Sequence, residues 1–118
     1  MKKILGLTVA AVFLAVAMLA FAAPQAPSND ITFTCKKGNV TFSHVKHAAV
    51  ASDCKVCHHK WNGEGTPKKC DECHKEKKEG KTPKMKDAAH KKCRGCHRSM
   101  KKAGKKTGPT PCKGCHKK

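Results

Sequence analysis

Four times the chain repeats one five-residue pattern of cysteine, two residues, cysteine, histidine: Cys54–His58, Cys70–His74, Cys93–His97 and Cys112–His116. Nothing else in the 118 residues restricts the possible folds as strongly. The first cysteines of successive motifs lie 16, 23 and 19 residues apart. That irregular spacing excludes a solenoid of identical stacked units. It suits several bound groups packed in one small body, joined by segments of unequal length.

The rest of the sequence cannot build a core from side chains alone. Residues 1–22 have a basic start (Lys2, Lys3), an apolar run from Ile4 to Ala20 and a small-x-small end at Ala20-Phe21-Ala22. This is the plan of a secretory signal peptide cut after Ala22, and the apolar run is short for an uncleaved spanning anchor. Cleavage leaves one domain, 23–118, of 96 residues, and the formal charge falls from +18 to +16 as Lys2 and Lys3 depart. That domain has no leucine, one isoleucine (Ile31) and three large aromatics, Phe33, Phe42 and Trp61. Such side chains normally contribute about 1.5–3 kcal/mol each when buried, and here there are too few of them. Small domains in this position depend on disulfides, metals or cofactors.

The motif says which. In one helical turn, side chains at i, i+3 and i+4 share a face. Cys54 with Cys57, Cys70 with Cys73, Cys93 with Cys96, and Cys112 with Cys115 can each reach the two vinyl groups of one haem as thioethers. The following histidine is then carried toward the iron, which is the attachment signature of c-type haem. Two C-x-x-C pairs could instead hold zinc as four thiolates, but zinc gives no reason for a histidine after each pair. Disulfides confined within each C-x-x-C would close trivial loops and stabilise little. Four covalent haem c groups are the expectation.

Beyond the motif histidines His58, His74, His97 and His116, the chain has four more: His44, His47, His59 and His90. Four irons have eight axial positions, and the chain has eight histidines. Bis-histidine coordination at every iron follows if none is spare. Met85 or Met100 would compete only by leaving a histidine unused, and would raise that haem's potential. With every axial position filled, iron can change oxidation state but offers no open site to a substrate. An electron carrier of low potential is therefore expected, with no catalytic residues. The alternative is a terminal reductase of dissolved metal ions acting at exposed haem edges.

The stretches "KKGNVTFSHVKH" (36–47), "CKVCHH" (54–59), "AAHKKCRGCH" (88–97) and "CKGCHKK" (112–118) resemble the class III cytochromes c, tetrahaem cytochrome c3 and its trihaem relative cytochrome c7. The resemblance spans nearly all of 23–118, and F-x-H-x-x-H followed by C-x-x-C-H-H is its most specific combination. It implies that His44 pairs with His58 on haem 1, His59 with His74 on haem 2, His47 with His97 on haem 3, and His90 with His116 on haem 4. Some tetrahaem members have a longer C-x-x-x-x-C-H spacing at the second and fourth sites, whereas all four here are short. The His90–Cys93 gap and the C-terminal part look more like the trihaem branch. That branch lacks the second haem, whose His59, Cys70, Cys73 and His74 are all present here. The family fold is a small multihaem body, a short N-terminal β-hairpin plus a few short α-helices and much loop around a haem core. The resemblance further implies a periplasmic monomer without stable membrane insertion, serving anaerobic (sulfate or metal) respiration. Its implied partners are acidic redox proteins such as periplasmic hydrogenase, or membrane-bound multihaem complexes.

Locally, Ile31–Cys35 and Val40–Phe42 have strand character around a turn at 36–39, and helices are expected near 44–51, 70–79 and 86–102. The basic charge would suit nucleic acid, but export, the scarcity of aromatics and the lack of a recognition motif argue against that partner. Lysines at 75–86, 101–106, 113, 117 and 118 instead form either a solvated face or a docking surface near the fourth haem. Cys35, the ninth cysteine, is expected to pack as a small hydrophobe against a haem, with a disulfide-linked dimer as the alternative.

Overall fold

The computed structural model describes residues 26–118. The leader read at 1–22 and the first residues of the domain lie outside them.

The hairpin is short. Strand β1 (Ile31–Phe33) pairs antiparallel with β2 (Val40–Phe42), with Ile31 opposite Phe42 and Phe33 opposite Val40. Alternation places Ile31, Phe33, Val40 and Phe42 half-buried on one face and leaves Thr32 and Thr41 exposed, as a two-residue side-chain period requires. The strand expected to reach Cys35 ends at Phe33, because the Cys35 carbonyl turns away to accept Gly38 N–H at 3.0 Å. Gly38 has φ +114°, a region that side-chain-bearing residues avoid. The Cys35 thiol lies half-buried, 3.7 Å from the Phe33 carbonyl.

The C-terminus closes on this turn. Asn39 and Lys117 exchange backbone hydrogen bonds of 2.7 and 2.8 Å in an isolated bridge. A Cβ on Gly38 would stand 2.6 Å from the Lys117 carbonyl oxygen, so glycine is needed for the two segments to meet.

Helices fill the remainder in short pieces. Helix α1 is His44–Ala48, shorter than the expected 44–51. A 3₁₀ turn, Cys54–Val56, is capped by Asp53, whose carboxylate accepts Lys55 N–H at 2.8 Å. Helix α2 is only Cys70–Cys73. The expected continuation to 79 fails because His74 turns extended, with φ −96° and ψ 100°, and the following residues form a loop closed by Met85 N–H donating to the Lys75 carbonyl at 2.8 Å. Glu72 accepts Lys69 N–H at 2.7 Å and steadies the start of α2. The longest helical run follows: α3 (Met85–Ala89), a π-helical stretch (His90–Arg94) and α4 (Gly95–Lys102). Helix α5 is Cys112–Cys115.

Among the described residues no side chain, apolar or polar, is buried, and Val45, Val50 and Val56 are exposed. Native domains of this size normally bury a contiguous apolar cluster. Among the described residues the polypeptide supplies no such cluster.

Candidate haem-ligand sites

Three local structures carry the four cysteine pairs. Cys70 with Cys73, and Cys112 with Cys115, each bound a one-turn helix, α2 and α5. Cys54 opens the 3₁₀ turn and Cys57 closes it, with Cys57 N–H donating to the Cys54 carbonyl at 3.2 Å. The third pair departs from the regular turn expected of it: Cys93 lies in the π-helical stretch, whereas Cys96 lies in α4. The pair therefore straddles a change of helical pitch, and a wider turn precedes Cys96 than the 3.6-residue turn of an α-helix. Cys115 is half-buried, and Cys54, Cys57, Cys70, Cys73, Cys93, Cys96 and Cys112 are exposed. None of the eight is paired in a disulfide.

At the first, second and fourth motifs the histidine closes the turn through its backbone. His58, His74 and His116 each donate N–H to the carbonyl of the first cysteine, Cys54, Cys70 and Cys112, at 2.9, 2.8 and 2.8 Å. They do not stay in helical register: His74 and His116 are extended, with ψ of 100° and 116°. Only His97, directly after Cys96, lies within a helix, α4. A single helical face thus accounts for the cysteine pairs of α2 and α5 but not for three of the four histidines, which leave the turn at its last residue.

Each motif histidine is half-buried and tied by its ring. His58 Nδ1–H donates to the Lys68 carbonyl at 3.2 Å, His74 to Pro83 at 2.8 Å, His97 to Pro109 at 2.9 Å and His116 to Gly38 at 2.9 Å. His47 does the same toward Ser43 at 2.8 Å. A carbonyl can only accept, so the proton must sit on Nδ1 and the lone pair on Nε2. Five imidazoles are thus held in the tautomer that ligation through Nε2 requires.

The rings meet in pairs. Centroid separations are 6.1 Å for His44–His58, 6.0 Å for His59–His74, 6.0 Å for His47–His97 and 6.3 Å for His90–His116. All four are wider than the 4.3 Å of the stacked Phe42–His47 pair. One metal ion between two imidazoles, with metal–nitrogen bonds of about 2.0–2.1 Å on each side, puts the ring centres about 6 Å apart. The ring planes are inclined by 48°, 28°, 21° and 89° in the same order. Every pair has a C-x-x-C next to one member, so the residues suit a bis-histidine haem held by two thioethers. No group of three or more His, Cys, Asp or Glu among the described residues converges as a metal-holding cluster.

Short elements fasten neighbouring pairs. The peptide bond between His58 and His59 links the first and second, and α1, carrying His44 and His47, links the first and third. The run 85–102 carries His90 and His97 and links the third and fourth. Phe42 stacks on His47 at 4.3 Å between centroids and lies 5.7 Å from His44, fixing α1 against the hairpin. His90 and Cys93 both sit in the π-helical stretch, a distortion that recurs at functional sites.

Sequence reasoning did not find the carbonyl acceptors or the role of Phe42 in seating α1. Nor did it find the clamp on residues 107–111, where Arg94 Nε donates to the Thr110 carbonyl at 3.1 Å. A Cβ on Gly108 in that segment would stand 2.5 Å from His97 Cε1.

At His44 the surroundings favour the neutral imidazole. Burial first, then His58 and His47, holds the His44 imidazole below its ordinary value. Before attachment, the Cys70 thiol is pushed up by burial and by Cys57, and the Cys93 thiol by burial and by Cys70 and Cys57. A cavity of about 600 Å³ lies against the fourth motif, lined by Lys36, Lys37, Cys112, Lys113, His116 and Lys118.

A model of the class III cytochrome c family matches residues 20–116. The chain belongs to that family. It is 42% identical to cytochrome c7 of Geobacter metallireducens over 118 residues, all of both chains. It is 50% identical to cytochrome c3 of Maridesulfovibrio salexigens over 91 residues, 70% of this chain and 81% of the relative. Its fold superposes on the di-tetraheme cytochrome c3 from Desulfovibrio gigas with a TM-score of 0.62 and 33% identity, covering 78% of this chain and 97% of that one. The expected small multihaem fold is the one found. Class III cytochromes bind c-type haem and carry electrons, and members are typically periplasmic. No helix among the described residues is long and apolar enough to cross a membrane.

Proposed function

We propose that residues 23–118, freed of the leader at 1–22, form a periplasmic carrier with four covalent bis-histidine haems of low potential. The four imidazole pairs at 6.0–6.3 Å, each beside its own C-x-x-C, carry this reading. His44/His58, His59/His74, His47/His97 and His90/His116 serve haems 1 to 4. Thioethers form at Cys54 and Cys57, Cys70 and Cys73, Cys93 and Cys96, and Cys112 and Cys115. When bound, haem supplies an iron that gains and loses one electron within closed coordination. The carbonyls at Nδ1 of His47, His58, His74, His97 and His116 would leave Nε2 of those five rings free for iron and tune their basicity. Two imidazoles without a thioether sulfur favour low potential.

A pyridine haemochrome assay with protein quantitation tests the count. We expect four haems per chain, all low-spin, with potentials below those of histidine–methionine cytochromes. Three haems per chain would remove the second site from the proposal.

The partner surface in this reading is the basic mouth at haem 4. Lys36, Lys37, Lys113 and Lys118 surround the cavity that Cys112 and His116 line, a charge arrangement that steers an acidic redox protein such as a hydrogenase or a membrane-bound multihaem complex. Lys113→Glu with Lys118→Glu should lower the second-order rate with an acidic donor by about tenfold at low salt. The deficit should shrink as ionic strength rises, and stopped-flow kinetics over a salt series would show it. An equal rate in the variant would move the docking surface elsewhere.

A further inference from the structure

We infer that Gly108 is a positioning residue that sets the potential of haem 3, by letting a backbone carbonyl reach the Nδ1 proton of His97. The inference rests on the bis-histidine reading above and extends it to one residue outside the ligands and motifs.

Three observations converge on this position. The Pro109 carbonyl accepts from His97 Nδ1 at 2.9 Å, and the preceding residue is Gly108. A Cβ at 108 would stand 2.5 Å from His97 Cε1 and 3.0 Å from its Nδ1 and Nε2, and the first of these is a distance that real Cβ atoms essentially never show. The segment is also tied to the third motif, where Arg94 Nε donates to the Thr110 carbonyl at 3.1 Å. The backbone at 108 is in an ordinary conformation, outside the left-handed region. The requirement for glycine is one of contact and not of torsion.

The consequence follows from ligand chemistry. A carbonyl accepting the Nδ1 proton makes the imidazole a stronger donor through Nε2, and a stronger donor favours the ferric over the ferrous state. Haem 3 has both of its imidazoles bonded in this way, His47 to Ser43 at 2.8 Å and His97 to Pro109 at 2.9 Å. In haem 1, the buried His44 Nδ1 has no hydrogen-bond partner. Side chains that pack the site without touching its electronics would not distinguish one haem from another in this manner.

The test is Gly108→Ala in the haem-loaded protein, with individual haem potentials followed by NMR through a stepwise reduction. The added methyl group should push the 107–110 backbone off His97, weaken its Nδ1–H···O bond and raise haem 3 alone. The equilibrium constant for electron exchange between haem 3 and haem 1 should shift by about tenfold toward reduced haem 3, equivalent to about 59 mV for a one-electron centre. A potential of haem 3 that stays in place, or four potentials that move together, would overturn the inference. Should the variant fail to assemble, the wild-type protein decides. His97 Nδ1–H should exchange with solvent more slowly than that of His90, whose ring is exposed, and equal exchange rates would overturn it. A haemochrome count on the same wild-type sample separates the two proposals: fewer than four haems counts against the tetrahaem reading, whereas four haems with an unmoved haem 3 counts against Gly108.

Discussion

With all eight motif cysteines replaced by alanine, residues 23–118 are expected to show no cooperative thermal transition, while the haem-loaded protein melts sharply. The reason lies in what the polypeptide can bury. Ordering the backbone costs about 1–2 kcal/mol per residue. The opposing side chains are one isoleucine, two phenylalanines, one tryptophan and a few valines. None of them is buried among the described residues, and Val50 remains 66% exposed. Surface ion pairs offer little relief: Lys36–Glu76, at 3.1 Å, joins two highly exposed side chains and belongs to the class worth about 0–1 kcal/mol. Haem, a large apolar disc fixed in the bis-histidine reading by two thioethers and two axial imidazoles, is the one component able to supply a core. Far-UV circular dichroism across a thermal ramp checks this, since the stripped chain should give a sloping trace near that of a coil. A sharp transition in the alanine variant would mean that the protein folds on its own contacts.

The sequence displayed what this fold states with side chains and hid what it states with backbone. Four C-x-x-C-H motifs and an absence of leucine from residues 23–118 announce a fold built round bound groups, and strand character at 31–33 and 40–42 is plain from β-branched and aromatic alternation. The four imidazole pairs named by family resemblance are those the fold brings to 6.0–6.3 Å. By contrast, Lys68, Pro83, Pro109 and Gly38 act through carbonyl oxygens, which every residue possesses, so no residue type marks them. The early end of α2 was equally hidden. Residues 75–79 are good helix formers, yet His74 is drawn extended where its ring bonds to Pro83. The change of pitch between Cys93 and Cys96 left no trace either, since one spacing in sequence serves a 3₁₀ turn, an α-turn and a π-to-α junction alike. Gly38 and Gly108 are legible as glycines, but the neighbours that forbid a Cβ, Lys117 and His97, become known only in three dimensions.

His59 gives the sharpest single-residue test of the second site. It is exposed, it follows a motif histidine, and its ring faces His74 at 6.0 Å with the planes 28° apart. His59→Ala leaves Cys70, Cys73 and His74 untouched, and the bond from His74 Nδ1 to the Pro83 carbonyl remains. Haem 2 should therefore stay attached and lose one axial ligand. The reduced variant should bind carbon monoxide at about one quarter of its haem, the other three sites keeping both imidazoles. His59→Met should close the position with a thioether and raise that potential by on the order of 100 mV, well inside the span of about 0.8 V that axial ligands command. Carbon monoxide difference spectra and potentiometry read the two variants. A surface histidine with no iron to serve would leave both measurements as in the wild type. That outcome would release Cys70, Cys73 and His74 from a bis-histidine site and leave the doubled histidine at 58–59 without a physical reason.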